Sequence, residues 1–120
     1  TQQDLEAMLD FLRKNVAHRA QAAGLTWSVE LVEPFPATVN HPDAVEAVAR
    51  AAETSGLPLT FLDQPFPWSE DFGHAANRWP SALIGLGAGP DHPVLHSATY
   101  DFPDDLLDAG VRLWVSLVTA

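Results

Sequence analysis

Residues 57–87 read LPLTFLDQPFPWSEDFGHAANRWPSALIGLG, and the division of this stretch decides the fold. The apolar run 57–62 predicts a strand. A polar, proline-rich loop at 63–69 then leads to a short helix, 70–78, which must end before Pro80 because proline disfavours helical geometry in the residue before it. Residues 81–87 read as a buried strand. Upstream, Pro42 at a first helical position opens a helix with Ala44, Val45, Val48, Ala49 and Ala52 inward, closed by Gly56. Downstream, residues 88–101 keep no period and form a long loop, of the kind that in compact domains is usually functional or disordered, and a functional loop is expected here. A last helix starts near Pro103, with Asp104 and Asp105 at its positive end, and is expected to bury Leu107, Gly110, Val111, Trp114, Leu117 and Val118. Strands and helices alternating in this way imply an α/β domain, part of a largely parallel sheet flanked by helices.

The first third has a different texture. Leu5, Met8, Leu9, Leu12, Val16, Ala20 and Ala23 recur at steps of three and four, the stripe of a one-faced helix ending at Gly24. Leu25, Trp27, Val29 and Leu31 alternate with Thr26, Ser28 and Glu30, as in a strand with one wet face. This pair is expected to be half of a small two-layer α+β unit. Pro34 and Pro36 then stop regular structure, so the organisation expected is a unit at 1–33, a hinge at 34–41 and an α/β portion at 42–120. One helix and one strand rarely stand alone, so the first unit is expected to pair with a second copy or to pack tightly on the remainder.

Composition narrows the partners. Sixteen acidic residues against six basic ones give a formal charge of −10, which repels phosphate backbones and anionic lipid heads, so neither nucleic acid nor a membrane is expected as partner. Cysteine is absent, which leaves histidine and carboxylate as the metal ligands available. No stretch is long and apolar enough to span a bilayer. Thr1 and Asp4 stand at capping-box spacing with no basic, apolar leader before them, and a cytoplasmic location is expected.

Few residues could carry chemistry. Ser69, Glu70 and Asp71 sit where a loop becomes a helix, and a capping serine with two acids at the helix's positive end would account for all three. The sharper alternative is an active-site loop, because ligands of parallel sheets bind beyond the carboxyl ends of the strands. His92 and His96 lie four apart, the interval of a helical zinc pair, but Pro90 and Pro93 exclude the helix. A lone loop histidine is more often a surface residue than a ligand. Asn40, His41 and Pro42 make an ordinary helix start, and His18 and His74 read as surface residues.

Three strings together are more specific: WSEDFG at 68–73, SALIGLGAG at 81–89 and LHSATYDFPDDLL at 95–107. In order and spacing they resemble the end of the dinuclear zinc amidohydrolase and metallopeptidase family, which includes aminoacylases, hippurate hydrolases, auxin-conjugate hydrolases and glutamate carboxypeptidases. PATVNHPD at 36–43 is similar to the segment where that family's lid and dimerisation domain returns to its catalytic domain. The resemblance implies that His96 binds one of two metal ions, zinc or else manganese or cobalt. It implies that Asn40 is a lid residue reaching toward substrate. Glu70 and Asp71 match the acidic loop, with Asp71 the better candidate for a structural role beside the metal site. Relatives usually carry glycine where this chain has Trp68, a departure that should reshape the substrate pocket.

The resemblance also places the family's other ligands, its bridging aspartate and its general-base glutamate before the lid. In the complete enzyme paired metals would activate a water for attack on an amide carbonyl, with a carboxylate taking the proton. The function expected is therefore that of a C-terminal fragment of a metal-dependent amidohydrolase. Its parent would cleave the amide bond of N-acyl amino acids or short peptides, while the isolated chain would be inactive and hold no metal tightly. The alternative is a non-catalytic binding or dimerisation module using part of the same fold.

Overall fold

A computed structural model describes residues 1–68 and 70–119. Its regular elements are four helices, α1 (Gln2–Ala22), α2 (Pro42–Thr54), α3 (Gly73–Ala76) and α4 (Leu106–Thr119). The chain divides into two compact units, one made of Thr1–Val39 with Trp68–Trp79, the other of Asn40–Pro67 with Pro80–Ala120.

The expected α/β architecture is not present. Among the described residues there is no strand, so neither a parallel sheet flanked by helices nor the sheet half of a two-layer α+β unit forms. Residues 25–31, 57–62 and 81–87 lack strand structure and leave much of their apolar surface exposed, including Leu25, Trp27, Phe61 and Leu62. A period of two describes a strand that already has neighbours, whereas the strand itself exists only where another backbone meets its N–H and C=O groups. Two of these segments also carry their own weaknesses. Pro58 has no N–H to give a ladder, and Gly85 and Gly87 bring no side chain to pack.

In the first unit, α1 begins at a reciprocal cap. The Asp4 amide donates to the Thr1 hydroxyl at 3.2 Å, and the Asp4 carboxylate accepts from that hydroxyl at 2.7 Å and from the Thr1 amino group at 3.0 Å. The hydroxyl first, and then the ammonium charge, hold the Asp4 carboxyl below the usual aspartate range. The helix ends on Gly24 at φ 63°, a left-handed position that glycine adopts without a Cβ clash. There the Gly24 amide donates to the Gln21 carbonyl and the Leu25 amide reaches back to the Ala20 carbonyl. None of the residues of α1 is buried.

The same unit holds a close backbone approach. Gly73 is buried, and a Cβ placed there would lie 2.2 Å from the Pro36 carbonyl oxygen. The Ala37 amide donates to Gln2 Oε1 at 3.1 Å, tying the segment after the prolines to the start of α1. The helix expected over 70–78 contracts to the single turn of α3; Glu70 and Asp71 precede it, and the expected cap, Ser69, lies outside the described residues.

The second unit is organised by α2 against α4, whose core is Ala51, Ala52 and Leu113 with Leu57 and Leu117 packed on it. Small alanines on α2 let the axes approach closely. Sequence periodicity expected Leu107, Val111, Trp114 and Val118 inward on α4, and all four are exposed, while Leu113 is buried. Asp108, Arg112 and Ser116 recur at steps of four and give α4 one polar side, beside which Leu113 is buried. A polar latch joins that side to the end of α2. The Ser55 hydroxyl lies 2.8 Å from the Ser116 hydroxyl and 3.1 Å from the Arg112 carbonyl, and Arg112 Nη1 donates to the Ser55 carbonyl at 3.0 Å. Just beyond, Gly56 at φ 66° turns the chain so that the Leu57 amide reaches the Ala52 carbonyl at 2.8 Å and its side chain falls on the core.

Candidate functional site

Asn40 and His41 open α2. The His41 ring nitrogen Nδ1 accepts from the Asp43 amide at 3.2 Å, so His41 is the side-chain cap of this helix. Pro42 supplies the fixed backbone angle of the first turn. The Asn40 amide reaches across to residues 81–83: Nδ2 donates to the Leu83 carbonyl at 3.0 Å, and Oδ1 accepts from the Leu83 amide at 2.8 Å. Beside it the His41 amide donates to the Ser81 carbonyl at 2.8 Å. Together these bonds give segment 81–83 the donors and acceptors that a neighbouring strand would have supplied.

The segment leads into the loop that carries His96. Within it the Ser97 amide donates to the Val94 carbonyl at 3.1 Å and the Tyr100 amide to the Ser97 carbonyl at 3.0 Å, two successive turns of which the first contains His96. His96 is exposed and has φ 66°, an unusual angle for a residue with a Cβ, costing about 1 kcal/mol or more. The half-buried ring of His92 lies 2.9 Å through Nδ1 from the Pro93 carbonyl and 2.9 Å through Nε2 from the Asp101 carbonyl. Tyr100 meets that ring edge-on, with centroids 5.4 Å apart and planes at 76°. An open cavity of about 340 Å³ lies alongside, with Leu86, Leu95, Phe102 and Leu106 among its walls and His92 and Tyr100 its polar groups.

Of the residues singled out in the sequence, Asn40 and His96 fall in the second unit, and Glu70 and Asp71 in the first, directly before α3. The Asp71 carbonyl accepts from the His74 amide and so begins the turn of that helix. His92 enters the sequence only as half of a rejected helical pair, and no spacing rule links it to Asp101. Its bracketing by Pro90 and Pro93, which rigidify the loop, is the one hint.

A metal site needs about three protein ligands. Among the described residues no group of three histidine, aspartate or glutamate side chains is placed to hold a metal ion, so the donors of this chain do not by themselves fit the paired-metal centre that the sequence resemblance implies. No helix among the described residues is long and apolar enough to cross a membrane.

A family model described as Peptidase family M20/M25/M40 matches residues 9–120. The chain belongs to that family, one of metal-dependent peptidases and amidohydrolases. No solved structure matches it.

Proposed function

We propose that the chain is the C-terminal portion of a metal-dependent amidohydrolase that cleaves the amide bond of N-acyl amino acids or short peptides, of the aminoacylase and hippurate hydrolase kind. Zinc, or else manganese or cobalt, is its metal. The observation that carries this reading is the match of nearly the whole chain to a metallopeptidase family, taken with an exposed histidine, His96, held at φ 66° in a loop turn. In this proposal His96 is one metal ligand, the remaining ligands and the general base come from a preceding part of the protein, and Glu70 and Asp71 support the site. Asn40 belongs to the substrate-binding set of the complete enzyme. The working location proposed is the cytoplasm.

Two experiments test the proposal. The source reading frame should extend upstream and contain a His-x-Asp pair and a Glu-Glu pair; a frame beginning at Thr1 with neither would defeat it. Purified 120-residue chain should show no turnover of N-acyl amino acids, and metal-dependent turnover by it would overturn the fragment reading. A non-catalytic binding or dimerisation module is the rival, favoured by the apolar residues that α1 leaves on its surface, Met8, Phe11 and Leu12.

A further inference from the structure

We infer that His92 is a positioning residue, a clasp that closes the loop carrying His96 and fixes where that imidazole points. The inference rests on the proposed role of His96 as a ligand. The His92 Nε2 lies 2.9 Å from the Asp101 carbonyl, nine residues along the chain, and its Nδ1 lies beside the carbonyl of the neighbouring Pro93, so one ring ties the entry of the loop to its exit. Tyr100 stands edge-on to the ring and limits its rotation. Between these two ends lie the turns closed by the Ser97 and Tyr100 amides, with His96 held at φ 66° inside the first of them. A ligand must be held within a fraction of an ångström of its productive position, and groups that orient it are often as important as the ligand itself.

The geometry dictates the ring's protonation. Carbonyl oxygens only accept, so the long clasp exists only when Nε2 carries a proton; the neutral Nε2–H form makes it, and the doubly protonated ring donates to both carbonyls. The neutral Nδ1–H form cannot make it. Nitrogen-15 spectra of the histidine rings in the metal-free 120-residue chain therefore test the clasp without any substitution. Protonated Nε2 at His92, alone or together with Nδ1, is the expected result, and a neutral ring protonated on Nδ1 alone overturns the inference.

Hydrogen exchange supplies the second readout. His92→Phe keeps a flat ring against Tyr100 but removes the Nε2 donor of the clasp, and should speed exchange of the Ser97 and Tyr100 amides about tenfold, the worth of one hydrogen bond. The Leu57 amide, bonded to Ala52 in the α2 cap, should exchange at its original rate. His92→Gln, whose side-chain amide can still donate to a carbonyl, should recover part of the protection. Unchanged exchange at Ser97 and Tyr100 in His92→Phe overturns the inference, and should that variant loosen Leu57 as well, the ring protonation of the unaltered chain decides alone. Neither readout involves a metal, so a His96 that proves not to be a ligand leaves both standing. A failed clasp likewise leaves the ligand proposal to be judged by metal content.

Discussion

The side chain of Asn40 holds the backbone of Leu83 by both of its polar ends, donating to the carbonyl at 3.0 Å and accepting from the amide at 2.8 Å. A carboxamide presents a donor and an acceptor side by side, as a peptide unit does, which lets one side chain replace a strand partner. Each such bond contributes about 1 kcal/mol, less where water competes, as at exposed Asn40. Asn40→Ala should therefore lower unfolding stability in urea by about 1 kcal/mol. Asn40→Asp should cost at least as much, because a carboxylate oxygen then faces the Leu83 carbonyl; an aspartate variant as stable as the original would show that the donor half of the pair carries nothing.

Gly73 and Pro36 give a sharper steric test. With a built Cβ at 2.2 Å from the Pro36 carbonyl oxygen, Gly73→Ala requires backbone movement, since neither partner can swing away as a side chain would. Overpacking of this kind costs about 1–3 kcal/mol. The expected outcome is a lower thermal midpoint, with the loss confined to the unit containing α1 and α3, whose amides should exchange faster while those of α2 and α4 do not change.

His96 should show function and stability pulling apart. Its φ of 66° is comfortable only for glycine, so His96→Gly should stabilise the isolated chain by up to about 1 kcal/mol, offset by glycine's greater freedom in the unfolded state, whereas His96→Val should destabilise it. Urea titrations of both variants check the order, which reverses if the angle is unimportant.

What the sequence disclosed was the helices, and what it misled on was their company. Gly24 and Gly56 as stops, Pro42 as a start and the Thr1–Asp4 cap are local signals whose causes lie within a few residues. The sheet was a different kind of inference. Alternation at 25–31 and the apolar run at 57–62 report that a segment would suit a strand, and nothing within the segment states whether an edge is there to receive it. At 81–83 the answer lies some forty residues away in sequence, in Asn40, which no periodicity rule connects to Leu83. His96 was legible only through the strings around it, and the ring of His92 was not legible as a clasp, because the distance that matters is to a backbone carbonyl.

The exposed face of α1 carries the expectation of self-association. Met8 and Phe11 are 59% and 69% exposed, and the helix buries none of its residues, so a second copy is the proposed cover. Sedimentation of the chain at micromolar concentration should give a dimer, and Phe11→Glu should return it to monomer. A monomeric original chain would end that proposal.

The central claim is that His96 is a metal ligand of a larger hydrolase. Its most direct test is the metal content of the complete parent enzyme with His96→Ala, measured beside the unaltered enzyme after the same purification and alongside turnover of an N-acyl amino acid. Loss of a first ligand disturbs both metal retention and activation of the attacking water, so the account predicts clearly reduced metal per chain and a fall in turnover of at least about 100-fold. Full metal content with near-normal turnover would contradict it and leave His96 a residue of a surface loop.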